Sequence, residues 1–194
     1  MVEGFFATAF RSGLQPVELA KRILREMDAG KSVGVKGVWA PNHFVFTLSS
    51  EDAELRVTAV RALGKLAAAE HREPIVERLR DPAWFVRAAA ARALQSSGED
   101  AAVDDALGQA LRDSEWWVRA NAARSLARRG ETGVARLAAA LEGDDRYARD
   151  AALSALASPA ALSLAESRLR PLAAAHPEDP VLVGLFARAR TLQT

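Results

Sequence analysis

DPAWFVRAAAARAL (81–94) and DSEWWVRANAARSL (113–126) are two copies of one pattern. An aspartate, two variable residues, an aromatic pair, Val-Arg, a run of small residues and a leucine return after 32 positions. DDRYARDAALSAL (144–156) is a further copy, and EDAELRVTAVRAL (51–63) a weaker first one. The shared arginine stands at Arg56, Arg87, Arg119 and Arg149, preceded by Leu55, Val86, Val118 and Ala148. Eight positions after that preceding residue comes Leu63, Leu94, Leu126 or Leu156. The steps are 31, 32 and 30 residues, and self-similarity at such a period marks a stacked repeat architecture.

Each copy reads as two helices. The first carries apolar residues at i, i+4 and i+8, which make one buried stripe. Asp81 and Asp113 stand where helix N-caps would, with Pro82 at the permitted first-turn position. Gly98, Gly130 and Gly143 mark turns. The second helices are expected at 73–80, 101–112, 132–141 and 159–169, each with Leu or Ile at helical spacing. One such pair cannot bury its own stripe, so neighbours must stack. The fold expected is mainly α: a short α-solenoid of about four helical pairs over 53–175, closed by a C-terminal capping helix within 176–194. Pro180 after Asp179 would open that helix.

Composition agrees. The chain has 194 residues, 49% hydrophobic but only 6% aromatic, with a net charge of +1. Ala- and Leu-rich segments mixed with Arg and Glu favour helix, because these side chains lose little rotamer freedom there. The apolar fraction excludes a disordered chain. Cysteine is absent, which removes thiol nucleophiles, disulfides and Cys-based metal sites. No apolar run approaches the roughly 18 residues of a membrane span, and the start lacks the marks of a signal peptide. A cytoplasmic protein with no membrane partner is the expectation.

The first 52 residues are a different object. Residues 16–29 form an amphipathic helix, and 32–40 and 43–49 read as strands around an Ala40-Pro41-Asn42 turn. This makes a small α+β helix-helix-hairpin piece, marginal alone. Half of the chain's 12 aromatics fall here: Phe5, Phe6, Phe10, Trp39, Phe44 and Phe46. Docking on the open end of the first repeat would bury Phe5, Phe6, Phe10, Trp39 and Phe46. Pairing of the hairpin edge with a second chain, giving a homodimer, would do so too.

A search for chemistry finds little. His43, His71 and His176 are expected on the surface, and no His-Glu pair stands at metal-binding spacing. Gly30-Lys31-Ser32 lacks the upstream glycine of a phosphate loop. The pairs Asp104–Asp105 and Asp144–Asp145 fall at expected helix starts, where negative charge suits the dipole. No catalytic residue, metal ligand or cofactor is assigned, and the chain reads as a non-enzyme. Residues 1–50 hold six basic and four acidic groups, and the remainder 20 and 21. Such totals disfavour nucleic acid as the partner.

The informative surface is the outer side of the first helices. Stacking would bring Trp84 and Phe85, Trp116 and Trp117, and Tyr147 into one stripe beside Arg61, Arg92, Asn121 and Arg124. Aromatic and Arg side chains dominate binding hot spots, so these residues are the candidate site for a protein or peptide. One ring of each aromatic pair is expected to be substantially buried between repeats. Arg87 and Arg119 are expected to bond Asp81 or Asp113 across neighbouring turns, as a structural ladder.

Residues 53–169, through DxxWFVRxxAAxAL at Asp81–Leu94 and its copy at Asp113–Leu126, resemble HEAT repeats. The likeness is to the short bacterial kind found in phycobilin-lyase subunits and in artificial helical repeat proteins. In the artificial proteins these outer positions form the selected binding surface. The resemblance departs at the turn Gln95-Ser96-Ser97-Gly98, and in the last copy, which loses the valine. AFRSGLQPVELAKRILREMD (9–28) and APNHFVFTLSSED (40–52) resemble part of the N-terminal domain of bacterial forkhead-associated-domain signalling proteins. That match stops at Asp52 and carries over no phosphopeptide-binding residue. The function implied is a non-enzymatic scaffold. The alternatives are an accessory subunit of a lyase-type enzyme, a HEAT-like DNA-binding or repair protein, and an engineered or recombined fusion without a selected function.

Overall fold

The computed structural model describes residues 48–66 and 71–192. The expected helix 16–29, the strands within 1–47 and any dimer through the hairpin lie outside them. Leu48 and Ser49, placed by sequence at the end of the second strand, form a turn instead. Leu48 is buried there, and its carbonyl accepts from Arg78 Nη1 at 2.9 Å.

Among the described residues the chain is helical throughout. The first helices of the pairs are α1 (Ala53–Leu66), α3 (Trp84–Ala93), α5 (Trp116–Leu126) and α7 (Arg146–Leu156). The second helices are α2 (Arg72–Glu77), α4 (Ala101–Ala110), α6 (Gly130–Glu142) and α8 (Pro159–Ala175), followed by α9 (Pro180–Thr191). The first helices lie side by side in one row, α1 on α3 on α5 on α7. The second helices make the other row, with α9 packed on α8. The core lies between the rows. Leu63, Leu94, Leu126 and Leu156 are all at 0% exposure, and Leu107 and Leu137 meet them from the second row. Val86–Ala90, Val118–Ala122 and Ala148–Ala152 complete the i, i+4, i+8 stripe. Leu55, on the first helix of the row, is only half-buried.

Three expectations are corrected. Asp81 and Asp113 do not cap α3 and α5, which begin three residues later, at Trp84 and Trp116. Each carboxylate accepts a single backbone N–H two residues on, from Ala83 and Glu115 at 2.9 Å. Its other bonds run to an arginine of the preceding repeat. The second helix of the first pair ends at Glu77 and continues only as a 3₁₀ turn to Arg80. Finally, α8 runs to Ala175 through Pro171, because Leu172 and Ala173 are buried and hold the last turn to its neighbours. Side-chain caps are Asp52, which accepts the Glu54 N–H at the start of α1, and Asp100, Asp145 and Asp179, each accepting two backbone N–H groups at the starts of α4, α7 and α9. Gly98 and Gly130 take positive φ, 73° and 68°, where other residues are strained.

Candidate partner-binding face

The first-helix row leaves two hollows on its outer side. The first, of about 420 Å³, lies over α1, α3 and α5 and is lined by Arg61, Trp84, Phe85, Arg92, Trp117 and Asn121, among others. The second, of about 380 Å³, lies over α5 and α7 and is lined by Trp116, Arg119, Arg124 and Tyr147, among others. Trp116 and Trp117 form the ridge between them, edge to face with centroids 4.6 Å apart, one ring turned to each side. Alanines floor both hollows, so the large rings stand as walls over small residues.

The rings are more open than the sequence suggested. Trp116 and Trp117 are 57% and 54% exposed, so neither seals the turn between repeats. In the other pair Trp84 is exposed, while Phe85 is half-buried against the core, 5.9 Å from the Trp84 ring. Tyr147 is 54% exposed, and its ring lies between two guanidinium groups, Arg119 at 4.9 Å and Arg146 at 5.0 Å. Arg61, Arg92 and Arg124 are exposed. Asn121 is half-buried and already engaged: its Nδ2 donates to the Ala88 carbonyl at 2.9 Å, tying α5 to α3.

The arginine–aspartate ladder runs one way, from each repeat to the next. Arg56 holds Asp81 through Nε and Nη2, at 2.7 and 2.8 Å. Arg87 holds Asp113 in the same manner, at 2.7 and 2.9 Å, and reaches Asp81 only through its backbone carbonyl. Arg149 pairs with Asp179. Arg56, Arg87 and Arg119 also each donate Nη1 to the carbonyls six and five residues before them, clamping their own turn.

Arg119 departs from the expected ladder: among the described residues it forms no ion pair. The reason is a shortened turn. Asp precedes Arg by six positions in Asp81–Arg87 and Asp113–Arg119, but by four in Asp145–Arg149. Asp145 therefore sits directly on the start of α7 and caps it, and the Arg119 guanidinium lies over Tyr147 instead.

Burial pushes the Asp113 carboxyl up. The Arg87 bonds and the Glu115 N–H more than offset that push, so its pKa lies below the usual carboxylate value. Asp81 behaves alike, with Arg56 and the Ala83 N–H opposing its burial. A lowered folded pKa contributes stability above the unfolded value of about 3.9, lost as pH falls through the folded one. Asp113→Asn is expected to cost about 2 kcal/mol at pH 7, the strength of a charged hydrogen-bonded pair. It should also flatten the decline of stability from pH 5 to pH 3, which urea unfolding across that range would read.

One polar cluster was not visible in the repeat pattern. Along one side of α5 and just beyond its end, Asn121, Ser125 and Arg129 reach the carbonyls of Ala88, Ala91 and Leu94 on the preceding repeat, at 2.9, 2.7 and 3.0 Å. Arg129 also pairs with Asp104 and donates to Ser97 Oγ at 2.8 Å, and both partners of the pair are buried. The aspartate expected at a helix start, where its charge would suit the dipole, is thus an inter-repeat lock. Asp105, its neighbour, pairs with Arg136 at the surface. His71 is another correction: it is buried at the start of α2, whereas His176 is exposed beside Glu178 at 3.3 Å. No group of three or more His, Asp or Glu among the described residues is placed to hold a metal ion. Nor is any helix among them long and apolar enough to cross a membrane.

Comparison with known proteins fits this architecture. Residues 105–183 match the family model described as HEAT repeats. Residues 105–183 carry HEAT repeats. Residues 1–91 match the model described as the FhaA N-terminal domain, a match that runs past Asp52 and takes in α1, α2 and most of α3. The described part of that stretch is helical and packs directly on the HEAT block. Among solved structures, the chain is similar to the CpcE–CpcF complex of phycocyanin lyase from Nostoc sp. PCC7120. There the TM-score is 0.56 at 24% identity, covering 84% of this chain and 68% of that one. It is also similar to a structure from work on microtubule plus-end tracking by XMAP215, CLIP-170 and EB1. That TM-score is 0.56 at 17% identity, covering 91% of this chain and 82% of that one. At these identities the likeness is one of fold. No curated protein matches.

Proposed function

We propose that this HEAT-repeat chain is a scaffold that docks a protein or peptide segment across the outer face of its first-helix row. The observation that carries the reading is the exposure of Trp84, Trp116, Trp117 and Tyr147 around two adjoining hollows. Large rings are costly to leave in water, and a contiguous set of them marks an interaction site. Arginine beside aromatic rings adds the other residue type that concentrates binding energy. One solved neighbour is a CpcE–CpcF complex and the other comes from work on microtubule plus-end tracking by XMAP215, CLIP-170 and EB1, which accords with protein partners for this fold.

The test is the variant Trp84→Ala/Trp116→Ala/Tyr147→Ala. These rings are about half exposed, so helicity and the melting transition should stay close to wild type. Affinity for a captured partner should fall about a hundredfold, the effect of losing more than one hot spot. A variant that loses cooperative melting would place the rings in the core and end the docking reading. The second reading, an accessory subunit of an enzyme complex, takes support from the CpcE–CpcF likeness. It predicts that the captured partner is itself an enzyme subunit whose turnover depends on this chain.

A further inference from the structure

We infer that the occupant of the two hollows is an acidic amphipathic helix of a protein partner. This rests on the docking reading above and adds the partner's charge and shape.

The first observation is which arginines lack acids. Arg56, Arg87, Arg129 and Arg149 each hold an aspartate of this chain. Arg61, Arg92, Arg124 and Arg128 line the hollows, and none of them forms an ion pair with a carboxylate among the described residues. Arg124 and Arg128 donate instead to the neutral amide oxygens of Asn121 and Gln95, at 3.3 and 3.2 Å. Asp150 is the one acid among the described residues of either lining. Residues 51–194 hold 20 basic and 21 acidic groups in all, so the run of arginines in these linings is a local feature of this face. A patch of one sign beside exposed rings selects a partner of the opposite sign that also presents apolar groups.

The second observation is spacing. The exposed rings Trp84, Trp116 and Tyr147 stand on successive first helices, α3, α5 and α7, and packed helix axes lie about 8–10 Å apart. Residues seven apart on an α-helix share a face and are separated by about 10.5 Å. A helix lying across the row can therefore set an apolar residue against each successive ring, with carboxylates flanking it toward Arg92 and Arg124. An extended segment advances about 6.6 Å between residues on one face and falls out of step. The chain's own first 50 residues carry six basic and four acidic groups, the wrong sign to fill the site, so the partner comes from another chain.

The experiment displays a random library of 20-residue peptides and selects on the full chain, with the triple aromatic variant as counter-selection. Enrichment of acidic peptides with apolar residues seven apart is the expected result. Arg92→Gln/Arg124→Gln, both exposed sites, should weaken those peptides about tenfold while the melting temperature holds. Enriched peptides that are neutral or basic would overturn this inference and leave the docking reading standing. Equal enrichment on wild type and the aromatic variant would overturn the docking reading itself. A 20-residue oligothymidylate that binds more tightly than every selected peptide would overturn the inference in favour of single-stranded nucleic acid, which also stacks on exposed rings.

Discussion

Arg129→Met is expected to destabilise the solenoid by about 3–5 kcal/mol, the cost of leaving one partner of a buried ion pair alone. Arg129 and Asp104 are 4% and 1% exposed. The guanidinium ties together Asp104, the Leu94 carbonyl, Ser97 Oγ and the Asp100 carbonyl. Those partners belong to the end of α3, the turn after it and the start of α4, so one side chain closes an entire inter-repeat turn. Asp104 Oδ2 has no hydrogen-bond partner, so without Arg129 the buried carboxylate has neither charge nor donor to offset its burial. Replacing both members, as Asp104→Leu/Arg129→Met, removes the stranded charge and should recover at least half of the loss. Urea unfolding of the two variants and of Asp104→Leu alone gives the coupling energy directly. A single variant within about 1 kcal/mol of wild type would show that the pair contributes little beyond filling space.

The repeat beat made most of this architecture legible. A leucine returning at Leu63, Leu94, Leu126 and Leu156 could only be the centre of a stacked core, and all four are fully buried. The same register brought Trp84 and Trp116, and at the next position Phe85, Trp117 and Tyr147, to one side, because equivalent positions of stacked helices share a face. What the beat concealed were departures from it. Asp104 lies three residues before Leu107 and seven before Leu111, on the buried phase of α4, and a charged residue at that phase signals an internal partner. Read only as a helix-start acid suited to the dipole, it pointed to no internal partner. The two residues missing between Asp145 and Arg149 likewise break the ladder at Arg119. Asp81 and Asp113 resemble N-caps in sequence, yet Arg56 and Arg87 draw their carboxylates away from the helix ends. Pair selection across 25 or 26 residues is a tertiary fact that local propensity does not encode.

Gly133→Ala should destabilise by about 3 kcal/mol, while the same change at Gly184 should stabilise. In helix interiors alanine is favoured over glycine by about 1 kcal/mol, and both residues lie within helices, α6 and α9. The difference is what the added methyl would meet. At Gly184 nothing among the described residues lies within 4 Å of an added Cβ, so Gly184→Ala should raise stability by about 0.5–1 kcal/mol through the reduced entropy of the unfolded chain. At Gly133 a Cβ would run into the Leu126 carbonyl oxygen and stand 3.0 Å from Arg129 Cβ. The carbonyl ends α5, and Arg129 is fixed by the buried cluster, so neither can swing aside. Relief requires α6 to move away from the end of α5, and overpacking of that kind costs about 1–3 kcal/mol or more. Gly64 supplies an independent case: its Cβ would stand 2.5 Å from Ala93 Cβ, where α1 crosses α3. Gly64→Ala should also destabilise, with the loss confined to the first repeat interface. Thermal melting of the three alanine variants therefore has a required order: Gly184→Ala above wild type, wild type above Gly64→Ala and Gly133→Ala. Gly133→Ala melting at or above wild type would show that α5 and α6 are not packed as closely as the Leu126 carbonyl requires.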